Sequence, residues 1–150
     1  MIRLETNMNE FVVQVRNDFE RQNERVQVAM QAGIFSAVAL VSDRIKQKGT
    51  NTAGETMHTN KGSSAYSTGY AKVRAKKGRQ TSKVDLYLTG DLSRAFQVID
   101  HTATEATAGF LNDTESQKAG YLEEFYGEIW GLTSEEQKDV TEVILDEIFK

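Results

Sequence analysis

The chain has no cysteine and no proline among its 150 residues, and only two histidines and one tryptophan. Without cysteine there is no disulfide framework and no thiolate metal site, and redox chemistry says nothing of compartment. Long hydrophobic runs are also missing. The longest, about Gly33 to Val41, falls far short of the ~20 residues that span a bilayer. Met1-Ile2-Arg3-Leu4-Glu5-Thr6 contains no apolar leader core, so neither export nor membrane insertion is expected. At this length one domain is the default, burying roughly two thirds of its unfolded surface. With 39% hydrophobic and 27% charged residues the composition is polar for a globular chain but not that of a disordered one.

Charge of one sign is absent from one stretch. Between Lys61 and Lys83 there are seven basic residues (Lys61, Lys72, Arg74, Lys76, Lys77, Arg79 and Lys83) and no acidic ones, so a net charge of −4 leaves −11 for the remainder. The molecule is electrostatically two-faced.

What is present reads as an α+β domain over residues 1–150, with a long N-terminal helix, an extended basic arm, a small antiparallel β-sheet and a C-terminal amphipathic helix. From Asn9 to Lys48 apolar residues recur at helical spacing: Val12, Val15, Phe19, Val26, Met30, Ile34, Ala37, Val41 and Ile45. The wholly polar Arg21-Gln22-Asn23-Glu24-Arg25 predicts a bend or exposed turn. Gly49, after Lys46 and Lys48, is a helix stop. Residues 50–82 are rich in Gly, Ser, Thr, Asn, Lys and Arg and read as an arm, with Tyr66 and Tyr70 available to anchor it on a neighbour. The 84–150 core follows. Val84 to Leu88 alternates, Leu92 to Phe96 suggests a helical turn, and Phe96–Asp100 with Glu105–Leu111 predict paired strands. A helix over Glu115–Phe125 and an apolar strand over Ile129–Leu132 come next. Thr133-Ser134-Glu135-Glu136-Gln137 then offers two overlapping capping boxes, Thr133 with Glu136 and Ser134 with Gln137. Beyond them Val140, Val143, Ile144 and Ile148 form one apolar face, which Leu145 and Phe149 broaden enough for a second partner.

Catalytic chemistry finds little purchase. Asp100 and His101 are adjacent on a predicted strand and so point to opposite faces, which is wrong for a triad. Gly49 to Thr56 has the outline of a phosphate loop, but Glu55 stands where a lysine is needed and no strand precedes it. Glu123-Glu124 and Glu135-Glu136 lack histidine or cysteine neighbours and read as helix charges and caps. No enzyme, cofactor or metal is expected.

Val84-Asp85-Leu86-Tyr87-Leu88-Thr89-Gly90-Asp91-Leu92-Ser93-Arg94-Ala95-Phe96 resembles the Leu-Thr-Gly-x-Leu-x-x-Ser-Ile signature of bacteriophage virion morphogenesis and tail completion proteins, with Ala95 and Phe96 in its last two places. In those families a β-meander, an aromatic-Gly pair and an apolar-Gly-Leu-Ser/Thr motif lead into a C-terminal helix. Phe125-Tyr126-Gly127 and Ile129-Trp130-Gly131-Leu132-Thr133-Ser134 stand in those places here. The resemblance spans about Tyr66 to Lys150. Many relatives carry Arg-Pro before the apolar-Gly-Leu segment, where this chain has Gly127-Glu128.

The resemblance implies a non-enzymatic subunit of a closed ring, often sixfold, in the virion neck, made in the host cytoplasm and neighbouring portal, adaptor or tail-tube proteins. In such a ring Tyr66, Tyr70, Lys72, Arg74, Lys76, Lys77, Arg79, Lys83, Trp130, Ile144 and Ile148 are the expected partner contacts. The basic groups would dock on acidic surfaces of adjoining copies or touch passing DNA. A nucleic-acid-binding protein using residues 61–83 is the alternative, and no membrane contact is expected.

Overall fold

The computed structural model describes residues 8–59 and 64–150, with the side chains of Phe19 and everything before Asn17 outside the description. Val12, Val15 and Phe19 of the expected stripe therefore lie outside the described side chains, and Lys61 outside the described residues. The chain is α+β. Its elements are α1 (Met8–Asp43), a π-helical turn (Arg44–Lys48), α2 (Thr68–Lys76), α3 (Asp91–Ala95), β1 (Phe96–His101), β2 (Ala106–Phe110), α4 (Asp113–Tyr126) and α5 (Ser134–Ile148).

α1 runs unbroken for 36 residues, about 54 Å at 1.5 Å per residue. No break in the helix occurs at Arg21 to Arg25. These are exposed residues, mostly of good helix propensity, and an all-polar stretch needs only solvent on every side to stay helical. The Glu20–Lys48 portion is long and apolar enough to cross a membrane by length and composition, more than its uninterrupted apolar run suggests. Core helices of soluble proteins pass the same test, and here one face of α1 is covered by α5.

That face is built from small residues. Ala29, Gly33, Ala37 and Val41 are buried, and a Cβ on Gly33 would lie 2.6 Å from Ile144 Cγ1, so the helices approach closely where glycine leaves room. α5 runs antiparallel to α1, with Arg25 donating to the Lys150 carbonyl at one end and Arg44 paired with Glu136 at the other. Of the two capping boxes offered by the sequence, Thr133 with Glu136 forms. Thr133 Oγ1 accepts from the Glu136 amide and the Glu136 carboxylate from the Thr133 amide.

Gly49 ends the first helix at φ +65°, its amide donating to the Arg44 and Ile45 carbonyls. A Cβ there would also meet the Val84 carbonyl at 2.8 Å, so conformation and close approach both require glycine. The core beneath is Val41, Ile45, Met57, Val84, Phe96 and Ile129. Phe96, Phe110 and Trp130 pack ring on ring, with centroids 4.9 to 5.4 Å apart. β1 and β2 pair antiparallel with Phe96 opposite Phe110 and Val98 opposite Ala108, and the register slips by one between Val98 and Asp100.

Two further expectations need correction. Residues 50–82 are not an extended arm over their described part. Thr50 bridges Thr56, the Met57 amide donates to the Gly49 carbonyl, and Met57 enters the core. Residues 68–76 form α2, capped by Ser67. A polar composition hid this because the segment is held by side-chain hydrogen bonds rather than an apolar stripe. Nor is Ile129–Leu132 a strand. The Ile129 and Trp130 amides donate to Glu123 Oε1, and the Ile129 and Gly131 carbonyls accept from Arg44, so side chains take the place of a neighbouring strand.

Candidate interaction surface

The basic segment is the feature that composition singles out, and the fold divides it in two. Arg74, on the inner side of α2, is 1% exposed. Its Nη2 donates to Asp85 Oδ1 at 2.8 Å and its Nε to the Gln80 carbonyl at 2.9 Å, and the guanidinium lies 4.4 Å over the Tyr66 ring. Gln80 Nε2 donates to the other Asp85 oxygen at 2.7 Å, and the Asp85 amide donates to the Tyr66 hydroxyl. A buried charge is tolerable only when matched in this way. Burial pushes the Tyr66 phenol up to about 12.

Arg79 and Lys83 are also engaged within the chain. Arg79 donates to the Leu88 carbonyl at 2.9 Å and stacks 4.6 Å over Tyr87, which has Lys46 5.5 Å from its ring centroid. Lys83 Nζ reaches the Gln47 carbonyl at 2.6 Å, at the carbonyl end of the first helix where the backbone dipole attracts a cation. Lys72, Lys76 and Lys77 alone among the described basic groups of this segment are exposed and make no ion pair or side-chain hydrogen bond. The expected docking set Lys72, Arg74, Lys76, Lys77, Arg79 and Lys83 thus shrinks to three lysines. Sequence shows charge but not which side of a helix meets a carboxylate.

Tyr66 is half-buried, while Tyr70, one turn further on, is exposed and meets Tyr66 edge-on at 5.4 Å. Together with Leu86, Leu88, Leu122 and Tyr126 they wall a groove of about 290 Å³ between α2 and α4. Burial, and to a lesser degree Tyr70, raises the Tyr126 phenol. Leu86, at the groove floor, holds a φ of +52°, an uncommon conformation for a branched side chain.

Trp130 and Ile144 are occupied inside the chain, Trp130 in the aromatic stack and Ile144 against Gly33. The Trp130 Nε1 is enclosed without a hydrogen-bond partner. Ile148 is half-buried at the end of α5, and Phe149 beyond it is 80% exposed. The large apolar groups left exposed outside the expected contact set include Val28 and Phe35 on α1 and Tyr121 and Phe125 on α4. The spacings i, i+7 and i, i+4 put each pair on one side of its helix, and that spacing was the signal available.

Asn51 and Asp100 are engaged by backbone amides close to them in sequence. Asn51 Oδ1 accepts from the Ala53 and Glu55 amides, and its Nδ2 donates to the Tyr126 carbonyl, so the glycine-flanked loop turns amide groups toward its own side chain. The His101 amide donates to Asp100 Oδ1 at 2.8 Å. Among the described residues no group of three or more His, Cys, Asp or Glu could hold a metal ion. No family model, curated protein or solved structure matches this chain.

Proposed function

We propose that this chain is a structural subunit which assembles with copies of itself into a ring at the head-to-tail junction of a bacteriophage, a tail completion or head-tail joining protein. The observation that carries this is the distribution of exposed apolar groups. Val28 and Phe35 stand on α1, Tyr70 and Val73 on α2, and Tyr121 and Phe125 on α4. A ring subunit touches two neighbours through two different patches, and large apolar groups left on separate elements suit that need. The resemblance around Leu88 to Phe96 and Ile129 to Ser134 supplies the biological setting.

Light scattering on the purified chain over a range of concentrations, with negative-stain electron microscopy, tests this. Closed rings, sixfold if the resemblance extends so far, are expected. The mass of one chain at every concentration, with no rings on the grid, overturns it.

A second reading rests on Lys72, Lys76 and Lys77, whose unpaired ammonium groups could meet phosphates without regard to sequence. It makes the chain a nucleic-acid-binding protein, and its salt dependence separates it from the first.

A further inference from the structure

Two of the apolar surfaces that the described residues leave without a partner have opposite shapes. One is a ridge on α1. Glu24, Val28 and Phe35 fall within about 40° of one another on a helix of 3.6 residues per turn, on the side away from α5. Val28 is 55% and Phe35 56% exposed, and Glu24 is exposed and makes no ion pair. The other is the groove of about 290 Å³ between α2 and α4, with Tyr70 at its rim, 40% exposed. A cavity of roughly 150 Å³ admits a benzene ring, so this groove has room for a phenyl side chain. Lys77, the C-cap of α2, follows Tyr70 by seven residues and falls on the same side, whereas Lys72 and Lys76 lie roughly 160° and 120° round the helix from Tyr70.

The charges choose between the possible pairings. Ridge on ridge supplies Glu24 with no free ammonium group, and groove on groove supplies Lys77 with a second lysine. Ridge on groove sets a free carboxylate, Glu24, against a free ammonium group, Lys77. We infer that Phe35 of one copy seats between Tyr70 and Tyr126 of the next, with Glu24 facing Lys77 at the end of α2. The contact is head-to-tail, so it repeats from copy to copy and a ring is its closed form. It rests on the ring-subunit reading and assigns that ring its interface.

Phe35→Glu removes the ridge and Tyr70→Glu the groove. Both positions are exposed, and circular dichroism with thermal melting checks that each variant folds. Each variant alone is expected to run as a single chain by light scattering, its dissociation constant raised about 100-fold or more, as for loss of an interface anchor. Mixed in equal amounts, the intact ridge of the Tyr70→Glu chain meets the intact groove of the Phe35→Glu chain, giving a one-to-one dimer and no ring. Reversing the charges gives an independent arm, in which Glu24→Lys and Lys77→Glu each weaken assembly and the two together in one chain restore it.

If wild-type chains assemble and the variants assemble equally well, or the mixture stays monomeric, the ridge-in-groove contact is wrong while the ring stands. Dimers of the Tyr70→Glu chain alone mean that ridges pair with ridges, and the contact is again wrong. A wild-type chain that never associates removes the ring and the contact together.

Discussion

Arg74 and Arg44 carry full charges into the interior, and each is met by one carboxylate, Asp85 and Glu136 respectively. Such pairs add little net stability over an apolar packing of the same volume, but removing one partner strands the other. Asp85→Asn is therefore expected to destabilise the chain by about 3–5 kcal/mol in urea unfolding. Glu136→Gln separates two roles at one residue, because glutamine can still complete a capping box. It leaves the cap and removes the charge opposite Arg44, whose guanidinium burial already pulls down while Glu136 and Glu128 hold it up. A loss well above the roughly 1 kcal/mol of a cap would place the main effect on the ion pair.

Tyr66 gives a pH-dependent counterpart. Its phenol titrates higher in the folded chain, at about 12 against an ordinary value of about 10. The stability it contributes is present in full below pH 10 and is lost as pH rises through 12. Urea midpoints taken across this alkaline range should fall, and fall less steeply in Tyr66→Phe. The Tyr126 phenol is raised in the same direction, so the single substitution removes only part of the decline. An unchanged slope would mean that Tyr66 is solvated in the folded state.

At the level of elements, the closest approach of α1 and α5 is at Gly33. Replacing glycine by alanine inside a helix ordinarily gains up to about 1 kcal/mol. Here the new Cβ would fall 2.6 and 2.8 Å from two atoms of Ile144, a β-branched side chain with little rotameric freedom. Gly33→Ala is expected to destabilise, by about 1–3 kcal/mol as in other overpacked cores, and pairing it with Ile144→Ala should cost less than the two separate losses added. Thermal melts of the four chains in that cycle decide the matter. Stabilisation by Gly33→Ala alone would show that the helices can separate without penalty.

The same level shows what patterns can reveal. α1, the helical turn at Leu92, both strands, α4 and the α5 cap are all legible, because each depends on near neighbours in sequence. Ile129–Leu132 reads as a strand and is not one, since four apolar or small residues cannot show that Glu123 and Arg44 will take their backbone bonds. The 50–82 segment reads as an arm because its anchors, Asn51, Met57 and Arg74, are isolated residues whose partners lie elsewhere, Asp85 for Arg74 and the Tyr126 carbonyl for Asn51.

For the whole molecule the question is how much of its charge is available to others. Of the basic groups described in the 61–83 stretch, Arg74, Arg79 and Lys83 are engaged internally. If the chain bound duplex DNA through Lys72, Lys76 and Lys77 alone, log affinity would fall with log salt at a slope of about −3. A slope near −6, measured by fluorescence anisotropy, would mean that the internal contacts open and would favour the nucleic-acid reading. Assembly through the α1 ridge is instead expected to weaken only modestly with salt, because apolar contact carries most of it.

The sequence by itself determined the α+β class, the stop at Gly49, a capped helix start at Thr133 or Ser134 and the separation of one basic stretch from an acidic remainder. Each of these is local, set by backbone preference, by spacing or by the count of charges. The tertiary structure alone decided which arginines are enclosed, which lysines are free, which side of α1 meets α5 and which is left bare. Those outcomes depend on residues far apart in the chain arriving at the same place, and spacing along a sequence carries no record of such meetings.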